Sequence, residues 1–149
     1  MLVLRLKKRK LVRKNKFIIS GGGTGGHIYP AISIANMIIK SIPNSEVRFV
    51  GAIGKMEMKI IPKHGFKIKG LWISGLQRSL SIKNILVPIK LIVSLIQSLI
   101  ELIIFKPKFV IGTGGYASFP ILFVSSLFKV PTLIQEQNSL PGISNKLLS

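Results

Sequence analysis

Apolar positions along this chain switch between two rhythms. Short unbroken apolar runs at 16–20 (KFIIS), 47–52 (VRFVGA), 109–111 and 132–135 have the length of strands buried on both faces. Residues 66–73 (FKIKGLWI) alternate, as a strand with one wetter face does. Between these runs lie stretches with helical spacing. They cover 30–42, with Pro30 read as part of a first turn, then 54–64, stopped by Gly65, then 81–105, interrupted near Pro88, then 119–128, and a last helix beginning at 142. Alternating strands and helices predict an α/β fold, a doubly wound parallel sheet of Rossmann-like type with helices on both faces. Ligands of such sheets bind beyond the carboxyl ends of the strands. Three unusual loops, 21–27, 112–118 and 136–145, fall at those ends, so they are expected to converge on one rim.

The longest apolar stretch, 91–105 (LIVSLIQSLIELIIF), has 15 residues, fewer than the ~20 that span a bilayer. Lys90, Ser94, Gln97, Ser98 and Glu101 recur through it at helical spacing and form one narrow polar stripe. Two placements fit such a helix. It packs between a sheet and a neighbouring helix, or its apolar circumference touches lipid with Lys83 and Lys90 toward the headgroups.

Charge bears on that choice. The chain has 22 Lys and Arg against 4 acids, a net charge of +18. Eight of the bases (Arg5, Lys7, Lys8, Arg9, Lys10, Arg13, Lys14 and Lys16) and no acid fall in the first 16 residues; the other 14 bases and all 4 acids follow. Residues 1–15 are therefore expected to be a basic tail, and 16–149 one domain. The tail lacks the apolar core of a signal peptide. A field of this sign favours a polyanion or an anionic membrane surface. The tail carries no aromatic residue among its bases, so nucleic acid is not the expected partner. Absence of cysteine excludes a disulfide framework and thiolate metal sites. Absence of aspartate excludes an Asp-x-Asp metal site, and no metal or cofactor is expected.

Gly21-Gly22-Gly23-Thr24-Gly25-Gly26-His27 lies between a strand and a helix. Gly21, Gly23 and Gly26 match G-x-G-x-x-G, but the second strand ends Val50-Gly51-Ala52 with no acid for a ribose, and Glu46 lies at the opposite rim. No Gly-Lys-Ser/Thr follows either. The loop is thus expected to hold a diphosphate without NAD or ATP. His27 beside it has two readings, a general base on a sugar hydroxyl or a histidine that caps the helix and contacts phosphate. His64 reads as a loop residue.

GGGTGGHIYPA (21–31), KMEMKIIPKHGF (55–66), WISGL (72–76), IGTGGYASFP (111–120) and EQNSLPGISNK (136–146), in this order, resemble the MurG family of glycosyltransferases over residues 16–149. The resemblance implies the N-terminal half of a two-domain GT-B enzyme at the cytoplasmic face of the bacterial inner membrane. Such an enzyme moves N-acetylglucosamine from UDP-N-acetylglucosamine to undecaprenyl-diphospho-N-acetylmuramoyl-pentapeptide, with inversion and without a metal. By motif, Thr24, Gly25 and Gly26 would meet the donor across the cleft. His27 would be the base, Asn138 would bond the transferred sugar, and Gly114, Gly115 and Tyr116 would cradle the acceptor diphosphate. Glu136 would orient loops or make a structural hydrogen bond.

The family's C-terminal donor domain is not among these residues, and the sequence stops at Ser149 within a helical pattern, which reads as a cut. The chain alone is therefore expected to be inactive and to need a separate donor domain. The alternative is a non-catalytic membrane-docking subunit of a split glycosyltransferase.

Overall fold

A computed structural model describes residues 14–75, 86–137 and 143–148. In chain order the elements are strand β1 (Asn15–Ser20), helix α1 (Gly25–Ser41), β2 (Ser45–Ala52), α2 (Glu57–Lys63), β3 (Lys67–Leu71), α3 (Val87–Phe105), β4 (Phe109–Gly112), α4 (Phe119–Leu127), β5 (Thr132–Ile134) and α5 (Ile143–Leu148). The five strands form one parallel sheet in the order β3-β2-β1-β4-β5. The chain winds outward from β1 to β3, and α3 then carries it back past β1 to begin the other half. That reversal sets β1 beside β4 at the point where a doubly wound sheet opens a ligand crevice. Ser20 is in register with Gly112, so the two glycine loops leave the sheet at the same level.

Adjacent strand residues serve opposite faces, which is why the central strands need unbroken apolar runs. Ile18, Val50 and Val110 pack under Leu102 and Phe105 of α3 and Ile121 and Leu122 of α4. Ile19, Phe49 and Ile111 pack under Ile28, Ala31, Ile32 and Ala35 of α1 and Ile61 of α2.

Helix α1 begins at Gly25, so the last two glycines of the first loop are its first turn and Pro30 lies inside it, not at its start. Proline has no N–H to give to the carbonyl four residues back. That carbonyl belongs to Gly26, and Gln137 Nε2 donates to it at 2.7 Å. The gap in the helix ladder thereby ties the loop after β5 to the loop after β1.

Helix α3 packs on the sheet through its polar stripe. Its polar stripe faces inward: Ser94 and Ser98 are 0% exposed and Glu101 is buried. Arg48 Nη1 of β2 donates to Glu101 Oε1 at 2.6 Å, the Trp72 amide donates to Gln97 Oε1 at 2.8 Å, and Lys90 Nζ donates to Ser74 Oγ at 3.2 Å. Arg48 also lies over the Phe105 ring, 4.2 Å from its centroid. The outer face is the apolar one, with Ile89, Ile92, Ile96, Ile100, Ile103 and Ile104 all exposed and Ile92 60% so. The helix has 19 residues, enough by length and composition to cross a membrane. Its stripe, however, is committed to β2 and to the segment after β3. Lys90, the first residue of the stripe, is half-buried beside Ser74 with its ammonium 5.7 Å from the Trp72 ring centroid, and in this position it does not serve the alternative that turned it toward headgroups. Lys83, Asn138 and most of the basic tail lie outside the described residues.

Candidate functional site

The loops after β1 and β4 interlock backbone to backbone. Gly22 N donates to Gly114 O at 3.4 Å, Thr113 N donates to Ser20 O at 2.8 Å, and Thr113 Oγ1 donates to the His27 carbonyl at 2.8 Å. Gly114 (φ +100) and Gly115 (φ +84) adopt left-handed conformations that disfavour side chains. Neither has room for one. A Cβ on Gly115 would stand 2.3 Å from the Gly22 carbonyl oxygen, and one on Gly114 would stand 2.8 Å from the His27 ring.

His27 lies in the first turn of α1, over this junction. Its Nδ1 is 3.1 Å from Gly22 O and 3.2 Å from Thr24 Oγ1. A carbonyl oxygen only accepts, so Nδ1 carries the proton and Nε2 carries a lone pair. Nε2 faces Gly114, 3.0 Å from where a Cβ would be. The missing side chain therefore lets the ring edge that carries Nε2 pack against the second glycine loop, which puts a candidate base beside both loops.

Glu57, to which the sequence reading gave no role, lies beneath the first loop. It is fully buried, and its two oxygens accept separate backbone amides, Ala52 N at 3.0 Å and Gly23 N at 3.1 Å. Its carboxylate occupies the space that a side chain on Gly22 would need, and its stem that of one on Gly51. This alters the expectation that the loop 21–27 cradles a diphosphate. The amides of Gly22 and Gly23 are already committed inside the protein, and a carboxylate sits under them. What the loop offers a ligand comes from Thr24 onward. The only signal in the sequence was compositional: Glu57 is one of 4 acids in a chain with 22 bases.

Tyr116 stands against both loops. Its ring is 3.6 Å from the Cβ position of Gly23 and 2.8 Å from that of Gly75. Burial raises its phenol above the ordinary 10.0, and the Glu57 carboxylate raises it further. The sign follows for stability: a phenol harder to ionise in the folded state adds no pH dependence below its ordinary value and costs stability as pH rises above it. Glu57→Gln keeps the volume but turns an NH2 group toward one of the two amides. It is expected to cost about 1–3 kcal/mol in urea unfolding, the penalty of a buried unpaired donor. It is also expected to lower the Tyr116 titration midpoint, followed by absorbance at alkaline pH, without bringing it back to 10.0, because burial is the larger cause. An unchanged midpoint would separate Glu57 from Tyr116.

Of the residues singled out from sequence, Thr24, Gly25, Gly26, His27, Gly114, Gly115 and Tyr116 lie together on the rim formed by the loops after β1 and β4. Asn138 lies outside the described residues; its neighbour Gln137 reaches this rim through Gly26.

Residues 17–149 match the family described as the glycosyltransferase family 28 N-terminal domain. Two proteins named UDP-N-acetylglucosamine–N-acetylmuramyl-(pentapeptide) pyrophosphoryl-undecaprenol N-acetylglucosamine transferase are similar to the chain over 134 residues. One, from Christiangramia forsetii, is 56% identical. The other, from Flavobacterium psychrophilum, is 57% identical. Each alignment covers 90% of this chain but only 37% and 36% of the relative, so the chain spans little more than a third of their length. The crystal structure of Acinetobacter baumannii MurG superposes with a TM-score of 0.78 at 26% identity, covering 91% of this chain and 39% of that one.

Proposed function

Because the chain belongs to the family of glycosyltransferase family 28 N-terminal domains, we propose that it is the acceptor-binding half of an inverting N-acetylglucosaminyltransferase acting on a lipid-linked muramoyl-pentapeptide. The observation that carries this reading is the placement of His27. Its Nδ1 is held by Gly22 O, and its Nε2 edge lies against Gly114 of the second glycine loop. In the reaction, the muramoyl 4-hydroxyl attacks the anomeric carbon of UDP-N-acetylglucosamine. The bond from that carbon to the diphosphate breaks, UDP leaves, and the hydroxyl proton passes to Nε2. Gly114, Gly115 and Tyr116 hold the acceptor diphosphate, while Thr24, Gly25 and Gly26 face the donor, and Asn138 bonds the transferred sugar. The donor's remaining contacts come from a second domain. That second domain fits relatives of which this chain covers only 37% and 36%.

The protein works at the cytoplasmic surface of the inner membrane. The isoleucine face of α3 supports this, since contiguous exposed apolar surface marks a lipid or protein contact. The net charge of +18 draws the chain to anionic lipid.

The test is transfer of labelled N-acetylglucosamine from its UDP donor to the lipid-linked acceptor. The chain is assayed by itself and then with a separately made donor domain from a full-length relative. Transfer is expected only in the mixture. Silence in both would reject a catalytic half and leave a docking subunit.

A further inference from the structure

The peptide group that joins Gly22 to Gly23 is held at both ends. Its N–H donates to Glu57 Oε2 at 3.1 Å, and its carbonyl oxygen accepts from His27 Nδ1 at 3.1 Å. The peptide is trans, so the two bonds leave it on opposite sides, one toward a buried carboxylate and one toward the imidazole. We infer that Glu57 is a positioning residue for His27: through this one peptide it aims the Gly22 carbonyl at Nδ1 and so sets the tautomer that leaves the lone pair on Nε2.

Two observations carry the inference. The first is that the carboxylate is anchored outside the loop it holds. Glu57 is the first residue of α2, its other oxygen accepts Ala52 N at the end of β2 at 3.0 Å, and its stem fills the space a side chain on Gly51 would need. The second is that the loop is shaped to receive it. A side chain on Gly22 would collide with the carboxylate, so the bare position lets the acid come up against the peptide, and Gly23 turns away through a left-handed φ of +86. A peptide between two glycines flips easily when nothing restrains it, because neither residue limits its own backbone. Here a flip would turn the Gly22 carbonyl oxygen onto the carboxylate, acceptor against acceptor. It would also present the Gly23 N–H to Nδ1, which selects the opposite tautomer and puts the proton on Nε2. The bond to the carboxylate also polarises the peptide and makes its carbonyl a stronger acceptor for the imidazole. The logic is that of a carboxylate that orients a catalytic histidine, with a peptide group inserted between the two.

The tautomer is read by 15N–1H correlation spectra of the imidazole rings in the whole chain, at a pH about two units above the ordinary imidazole value of about 6.5. The chain has 2 histidines, and the exposed His64 is the internal reference. His27 is expected as the Nδ1–H form in the parent. Glu57→Met offers no oxygen to Gly23 N and is expected to convert most of it to the Nε2–H form. Glu57→Gln keeps a neutral acceptor and is expected to convert a smaller, measurable part. An unmoved His64 signal and an unchanged far-ultraviolet dichroism spectrum identify the folded variants, and Glu57→Gln carries the test if Glu57→Met does not fold. An Nε2–H form in the parent overturns the inference, as does an Nδ1–H form kept in every folded variant.

The kinetic arm rests on the reading of His27 as the base and uses the mixture with a donor domain. Glu57→Gln is expected to lower kcat on the order of tenfold with the KM for UDP-N-acetylglucosamine within about twofold, the scale of a group that acts through another. In the His27→Ala background the same change is expected to cost less than about twofold, because no imidazole is left to orient. Equal losses in both backgrounds overturn the positioning role. A tautomer that moves while kcat stands still keeps the link from Glu57 to His27 and rejects His27 as the base.

Discussion

His27→Ala in the reconstituted two-domain enzyme is expected to lower kcat about 10²–10⁴-fold while leaving the affinity for UDP-N-acetylglucosamine within about twofold, the usual scale for losing a general base. The separation of the two effects comes from geometry. The backbone of Thr24, Gly25 and Gly26, read as donor contacts, stays in place without the imidazole, since the helix start is fixed by the Thr24 carbonyl accepting the amides of His27 and Ile28, and only the contact of Nδ1 with Thr24 Oγ1 is lost. Removing the imidazole takes away the acceptor for the proton and little else. It also frees the Gly22 carbonyl from its part-buried hydrogen bond to Nδ1. A purely positioning histidine would behave otherwise: donor affinity would fall along with kcat. Turnover within about threefold of the parent would remove the base role altogether. The decisive measurement is steady-state kinetics on the variant, with both substrates varied.

The second large effect is expected at the membrane. Ile92→Ser with Ile96→Ser should weaken binding to anionic vesicles by on the order of 10²-fold or more, measured by co-sedimentation. Withdrawing one large aliphatic side chain from an apolar medium costs about 1.5–3 kcal/mol, and two are withdrawn. The melting temperature should barely move, because both side chains already point out of the fold. Ile39→Ser supplies the control. Ile39 is also exposed, but it belongs to α1, whose buried residues cover the opposite face of the sheet. That variant should bind vesicles as the parent does. Binding should also fall as salt rises, because the basic surplus acts through a screened field. Undiminished vesicle binding by the double variant would take α3 out of the membrane contact.

How far the sequence reached differs from element to element. The strands at 16–20, 47–52 and 109–111 could be placed because a strand covered on both faces admits only apolar residues, and such runs are short and conspicuous. The glycines at 21–26 and 112–115 could be placed because they interrupt a strand-to-helix junction, and interlocked backbones allow nothing larger. The start of α1 was misplaced because proline is common in a first turn and the sequence does not show what replaces its missing N–H. Only the approach of Gln137, from a loop more than a hundred residues away, makes a proline inside that helix tolerable.

The site divides in the same way. Histidine 27 beside a glycine loop was legible as candidate chemistry, and its direction was not. The tautomer depends on where the Gly22 carbonyl points, and the surface that Nε2 meets is Gly114, which is distant in sequence. Glu57 passed without a role, because a buried carboxylate is identified by the amides that reach it, and those come from two other segments.

What the sequence by itself determined is therefore the alternation of strand and helix, the parallel sheet, the two glycine loops on the rim and the existence of a polar stripe on α3. Each of these depends on local periodicity or on a residue's own backbone limits. What only the tertiary structure decided is which way that stripe turns. Periodicity fixes that a helix has two unlike faces and leaves open which one meets the protein. Arg48 on β2 and the Trp72 amide beyond β3 decide it, because they need Glu101 and Gln97 as partners more than the sheet needs another row of isoleucines. The apolar face is left outward.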